Sequence, residues 1–74
     1  MSEKVRVGVI GAGVMGRYHC ETLALRLTGA ELAGVADVDG AAAGRAASLS
    51  PGALATTDHR ALLADPSVQA VVIA

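Results

Sequence analysis

The hexapeptide Gly11-Ala12-Gly13-Val14-Met15-Gly16 follows directly on the short β-branched run Val5–Ile10. A strand that ends at a glycine turn and opens into a helix is the setting in which G-x-G-x-x-G binds a dinucleotide pyrophosphate. Each glycine has its own predicted role. Gly11 permits the tight turn and Gly13 leaves the backbone open to the pyrophosphate. Gly16 begins the buried stripe of the helix, where a side chain would hold the helix off the sheet.

The backbone N–H groups near Val14 and Met15 then point at the phosphates, aided by the positive end of the helix dipole. The fingerprint also needs an acid at the end of the second strand, about 20 residues further on. Asp37 follows the predicted strand Glu31–Ala36 at that distance. Its carboxylate would accept hydrogen bonds from the ribose hydroxyls and repel a 2′-phosphate, and Val38 adds no cation. The pattern therefore favours NAD over NADP, and a flavin site would use much the same fingerprint.

A helix with one buried stripe is predicted from Val14 to about Thr28, from the spacing of Gly16, Cys20, Leu23 and Leu27. Gly29 is expected to end this helix as a left-handed cap. A second helix is predicted over Ala41–Ala47, with Asp39 as its N-cap.

The remaining elements alternate in the same way. Ser50-Pro51-Gly52 predicts a turn before a strand over Ala53–Thr56, and Thr57 or Asp58 caps a third helix through Leu63. The apolar run Val68–Ala74 is typical of a parallel strand covered on both faces. The order β-α-β-α-β-α-β predicts an α/β fold with a doubly wound, Rossmann-type parallel sheet and helices on both faces.

Composition excludes several other classes of function. The 74 residues are 53% hydrophobic and 1% aromatic and carry a formal charge of −1. Nucleic-acid binding and attachment to an anionic membrane are not expected, because there is neither a basic patch nor a set of stacking aromatics. One cysteine cannot build a disulfide framework or a multi-cysteine metal site. The start Met1-Ser2-Glu3-Lys4 leads into no secretory apolar run, so we expect a cytoplasmic protein.

Five other polar or reactive positions receive structural interpretations. Cys20 is expected to be a small buried residue, and His19 is interpreted as structural rather than catalytic because no acid–base partner is evident. His59 is expected to be solvated, while Asp58 and Asp65 mark the ends of one helix. A P-loop is excluded, because Arg17-Tyr18 follows Gly16 where Lys and Ser or Thr would stand.

Three segments carry a resemblance to a known family: Val7–His19 (VGVIGAGVMGRYH), Glu31–Asp37 (ELAGVAD) and Asp65–Ala74 (DPSVQAVVIA). Together they resemble the amino-terminal signature of the glucose-fructose oxidoreductase/inositol dehydrogenase/MocA family. The resemblance implies an NAD(P)-dependent oxidoreductase that acts on a sugar or polyol. It also implies the strand order 3-2-1-4 for this chain and a homo-oligomer for the full-length protein. The expected cofactor-binding residues are Gly11, Gly13, Val14, Met15, Gly16, Asp37, Val38 and Ala74.

The departure from the family is length. The resemblance places a Glu-Lys-Pro segment with the active-site lysine, and a carboxy-terminal substrate domain, beyond Ala74. We therefore expect residues 1–74 to be the amino-terminal part of a dinucleotide-binding domain, a truncated half that is catalytically inactive by itself. Two alternatives stay open: a non-catalytic dinucleotide-binding regulatory module, and a non-functional remnant.

Overall fold

The computed structural model describes residues 4–74, so the part of the predicted start that covers residues 1–3 lies outside the described residues. The strands are β1 (Val5–Ile10), β2 (Ala30–Ala36), β3 (Leu54–Thr56) and β4 (Ala70–Ile73). The helices are α1 (Val14–Glu21), which a π-helical turn over Thr22–Arg26 continues, α2 (Gly40–Ala47) and α3 (His59–Ala64). All strand pairs are parallel and the sheet order is β3-β2-β1-β4, which confirms the predicted α/β class and strand order.

One face of the sheet carries the main apolar core. The α1 segment with its π turn supplies Cys20 and Leu23, and α2 supplies only alanines, so this helix can approach the strands closely. The buried residues of this core are Val7, Val9, Ala12, Cys20, Leu23, Leu32, Val35, Ala43, Ala46 and Ala47.

On the opposite face, the largest buried side chain among the described residues comes from α3. Leu62 of α3 is fully buried over Gly8 of β1 and Gly34 of β2. A Cβ on Gly8 would lie 2.9 Å from Leu62 Cδ2, and one on Gly34 would lie 2.7 Å from Leu62 Cδ1. The β1–β2 register skips Ala33, so that the two glycines stand side by side and form one recess for the leucine.

The end of the first helix differs from the prediction. The chain leaves the helix at Leu27, which is extended at φ −89° and ψ 139°, and Gly29 has no positive φ. The Leu27 N–H donates to the Thr22 carbonyl at 3.0 Å, five residues back. This wider turn ends the helix early, so the predicted left-handed cap at Gly29 is wrong. The expected burial of Leu27 is wrong as well, because it is 48% exposed.

Two strand boundaries move because turns take the first residues. The Ala53 N–H donates to Ser50, and the Val68 N–H donates to Asp65, so both residues belong to the preceding turns. Pairing of β4 with β1 nevertheless extends from the Gln69 N–H to the Ala74 N–H. The expected cover on both faces of β4 is not found: Val72 packs on the core, while Ile73 is 76% exposed on the other face. No helix within residues 4–74 is long and apolar enough to cross a bilayer.

The recess over Gly8 and Gly34 generates a stability prediction. Leu62→Ala should lower the free energy of unfolding by about 2–5 kcal/mol, because it empties the contact that holds α3. Leu63→Ala is the matched control, since Leu63 is 55% exposed on the same helix. That change should stay within about 0.5 kcal/mol. Urea unfolding followed by circular dichroism measures both, and equal effects of the two variants would contradict this packing.

Candidate dinucleotide site

The glycine turn lies at the carboxyl edge of the sheet, where β1, β2 and β4 all end. Gly11 has a φ of +102°, which side-chain-bearing residues rarely adopt, so its predicted role in the tight turn is confirmed. Its N–H donates to the Ala36 carbonyl of β2 at 2.8 Å. On the other side, the Ala74 N–H donates to Ile10 at 2.9 Å. The turn is thus tied to the strands on both sides of β1.

Gly16 is required by the backbone of the turn itself. A Cβ on Gly16 would overlap the carbonyl oxygen of Gly11 and lie 3.5 Å from the Cβ of Ala74. The sequence predicted that a side chain here would push the helix off the sheet. The structure shows that the obstacle is the Gly11 carbonyl, so the requirement for glycine holds for a more local reason.

Gly13 differs from its two neighbours in the hexapeptide. It lies at φ −71° as the N-cap of α1, a conformation open to any residue, and no heavy atom lies within 4 Å of a Cβ placed on it. Nothing in the described part of the chain therefore demands glycine at this position. The open space in front of Gly13 is available to a ligand.

The amino terminus of α1 beside this space has free donors. Gly13 provides no side-chain cap, and the first turn contains no acidic residue. The first N–H groups of a helix have no partner within it and carry its positive partial charge. Val14, which is 88% exposed, and the exposed Met15 begin this turn. The arrangement suits an anion.

Asp37 faces the glycine turn from the end of β2. Its Oδ2 accepts from the Ala12 N–H at 2.6 Å, and its Oδ1 accepts from the Asp39 N–H at 2.8 Å. These two backbone donors, Ala12 first, hold the pKa of the Asp37 carboxyl below its usual value, and partial burial opposes them. The carboxylate is therefore ionised at neutral pH. Val38 beside it is 93% exposed.

The structure brings most of the predicted site residues together. Gly11 and Gly16 lie close to Ala74: a Cβ on Gly11 would be 2.9 Å from the Ala74 carbonyl oxygen, and one on Gly16 would be 3.5 Å from the Ala74 Cβ. Asp37 reaches the turn through the Ala12 N–H. Ala12 was missed by the sequence analysis, because its contribution is a backbone N–H that any residue except proline could supply. Its position between the first two glycines was the only signal.

The other candidate residues lie outside this arrangement. Cys20 is fully buried, and burial first and the Glu21 charge second raise the pKa of its thiol to about 11, so it stays protonated. Half-buried His19 has the Tyr18 ring as its neighbour, at 6.0 Å between centroids. Asp58 caps α3 through the Arg60 N–H, as predicted. No group of three or more metal-ligating side chains exists within residues 4–74.

An open groove of about 220 Å³ lies elsewhere on the molecule. It is lined by Leu63, Val68, Gln69, Ala70 and Val71, at the end of the sheet opposite to the glycine turn. Uncharged side chains and backbone alone line it, so it offers no cation to a phosphate.

Comparisons with known proteins agree with this geometry. A family model described as an oxidoreductase family with an NAD-binding Rossmann fold matches residues 5–74. An inositol 2-dehydrogenase of Arthrobacter sp. (strain FB24) is 49% identical over 74 residues, which are 100% of this chain and 22% of that protein. The chain therefore spans only about a fifth of this relative's length.

Two solved structures share the fold at 42% and 36% sequence identity. The myo-inositol dehydrogenase from Lactobacillus casei, in complex with NAD(H) and myo-inositol, has a TM-score of 0.87 and 42% identity. The match covers 97% of this chain and 22% of that one. GenD2 from gentamicin A biosynthesis, in complex with NAD, has a TM-score of 0.87 and 36% identity, covering 100% of this chain and 21% of that one.

The contrast between two glycines of the turn can be tested without a ligand. Gly16→Ala should destabilise the fold by more than about 2 kcal/mol, because its Cβ meets backbone that cannot move aside. Gly13→Ala should change stability by no more than about 0.5 kcal/mol, since its Cβ enters open space. Thermal unfolding of both variants decides the matter, and a Gly13→Ala protein as unstable as Gly16→Ala would refute this description of the turn.

Proposed function

The chain belongs to the glucose-fructose oxidoreductase/inositol dehydrogenase/MocA family, and from that premise we propose that it binds the adenosine, ribose and pyrophosphate portion of NAD. In this proposal the first turn of α1 holds the pyrophosphate, and the Asp37 carboxylate accepts hydrogen bonds from the adenosine ribose. The observation that carries the proposal is the open space in front of Gly13, which no part of the described chain fills.

Different residues are proposed to contact different parts of the cofactor. Gly13, Val14 and Met15 offer backbone N–H groups to the pyrophosphate, where the helix dipole adds to the attraction. Gly11, Gly16 and Ala74 contribute by shape, since each contact among them sets the position of the turn. Val38 borders the adenosine side, where an apolar exposed side chain can lie against the ring or ribose.

The charge of Asp37 supports NAD rather than NADP as the cofactor. A carboxylate accepts hydrogen bonds from a free ribose diol but repels a phosphate ester on the 2′-oxygen. Val38 brings no compensating cation, and Arg45 is exposed near the far end of α2. The two solved relatives described above contain NAD or NAD(H), which agrees with this choice.

We further propose that the chain acts as part of an oxidoreductase for the CH–OH group of a sugar or polyol. The matched relatives named inositol dehydrogenases support this substrate class. NAD held at this turn would supply the acceptor for a hydride from a carbinol carbon, while a base would take the hydroxyl proton. In this proposal the base and the substrate-binding groups belong to the length of the relatives that this chain does not span, in a separate substrate domain.

Binding of NADH tests the proposed site most simply. The wild-type chain should bind NADH, measured by isothermal titration calorimetry, and Gly13→Ala should weaken the affinity at least about tenfold. The reason is that its Cβ stands where the pyrophosphate approaches the backbone.

The matched control for this measurement is Gly29→Ala. Gly29 also has nothing within 4 Å of a Cβ and no positive φ, but it lies at the opposite end of the sheet. This variant should bind NADH like the wild type. Equal affinities of wild type and Gly13→Ala would remove the glycine turn from the proposed site.

The 74-residue chain is also expected to have no dehydrogenase activity. The 74-residue chain should form no NADH from NAD⁺ and myo-inositol above a protein-free blank, measured by absorbance at neutral pH. Within residues 4–74 the turn has no acid–base pair beside it, because Asp37 is engaged by backbone donors and the neighbour of His19 is a tyrosine ring. NADH formation that disappears in His19→Ala but survives in His59→Ala would instead make His19 catalytic.

A further inference from the structure

The Asp37 carboxylate connects two turns of the chain. Through Oδ2 it holds the Ala12 N–H of the glycine turn at 2.6 Å, and through Oδ1 it holds the Asp39 N–H ahead of α2 at 2.8 Å. Ala12 is buried and Asp37 is half-buried, so the bond to Ala12 is partly sheltered from solvent. A carboxylate offers about four lone pairs, and two remain for other donors after these bonds form.

The bond from the Ala12 N–H to Asp37 is the one hydrogen bond between a side chain and the glycine turn in the described residues. Within the described range 4–74, no other side chain makes a hydrogen bond to residues 11–16. The remaining bonds of the turn are made by backbone: the Gly11 N–H donates to Ala36, and the Arg17 N–H donates to Gly13. The stretch between them, Ala12 and Gly13, is the part that would face the pyrophosphate, and among the described residues Asp37 supplies its one side-chain hydrogen bond.

We propose that Asp37 is a positioning residue for the phosphate-binding turn, in addition to its role as ribose acceptor in the proposed function on which this inference rests. The ribose half and the pyrophosphate half of the site are then coupled through one carboxylate. A change at Asp37 should weaken the binding of a ligand that carries no ribose at all.

Electrostatics alone predict the opposite result. Asp37 is a negative charge near a site proposed for a diphosphate, so neutralising it should strengthen the binding of an anion. If Asp37 also orients the turn, neutralising it should weaken the binding of the same anion. The two accounts differ in sign.

The variant that separates them is Asp37→Asn. Asparagine keeps the shape of the side chain but has one neutral acceptor oxygen and one NH₂ donor. One of the two backbone N–H groups therefore loses its partner, and the other keeps only a bond to a neutral oxygen, which is about half as strong. The hydrogen bond to the Ala12 N–H is thus weakened in either orientation of the amide. Asp39→Asn is the matched control. It removes one charge two residues away, asparagine is an equally good N-cap for α2, and Asp39 makes no bond to the glycine turn.

The first measurement uses no ligand. Amide hydrogen exchange followed by NMR should show the Ala12 N–H exchanging at least about tenfold faster in Asp37→Asn than in wild type or Asp39→Asn. The Gly11 N–H, bonded to backbone, serves as the internal reference and should change much less. Unchanged exchange at Ala12 in Asp37→Asn would overturn the positioning role, whether or not the chain binds NAD.

The second measurement uses inorganic pyrophosphate as the probe, with affinities from NMR titration. We expect binding about tenfold weaker in Asp37→Asn than in wild type, because a hydrogen bond to a charged group is lost from the turn. Asp39→Asn should bind pyrophosphate at least as tightly as wild type. Equal or tighter binding by Asp37→Asn, or equal weakening in both variants, would overturn the coupling. If the wild type bound neither NADH nor pyrophosphate, the proposed function would be overturned. The exchange measurement would still test the contact between Asp37 and the Ala12 N–H.

Discussion

The carbonyl oxygen of Gly11 occupies the place where a side chain of residue 16 would begin, and the whole carboxyl edge of the sheet depends on that close approach. Because α1 starts against the turn that precedes it, its first N–H groups lie beside the ends of β1, β2 and β4. Ala74 packs against the same two glycines, so the last strand shares in the constraint. The proposed anion-binding position and the β1–α1 turn therefore depend on the same close approach.

The two faces of the sheet are held in different ways. The α1 and α2 face relies on many small side chains and close backbone contact, whereas the α3 face relies on Leu62 in the recess of Gly8 and Gly34. A chain of this length buries only about 60% of its unfolded surface, so one such contact is a large share of the stability margin. The exposed Ile73 shows where apolar surface on this face lies without cover.

Much of this could be predicted from the sequence, because the periodicity of β1 and the hexapeptide are local signals. The bounds of β1, the caps at Asp39 and Asp58, and the strand order agree with expectation. The end of α1 could not be predicted, because no local sequence signal distinguishes a π turn over Thr22–Arg26 from an α-helical turn that runs on to Gly29. Nor could the bond from Asp37 to Ala12, which joins residues 25 positions apart and involves a backbone donor.

The central claim is that NAD lies across the glycine turn and the end of β2. Mapping of amide chemical shifts during addition of NAD⁺ to the 74-residue chain tests it most directly, because every backbone N–H reports its own surroundings. If NAD binds there, the shifts should concentrate in residues 11–16 and at Asp37 and Val38, with little change at the groove lined by Leu63 and Val68. Shifts concentrated at that groove, or none at all in a folded chain, would contradict it.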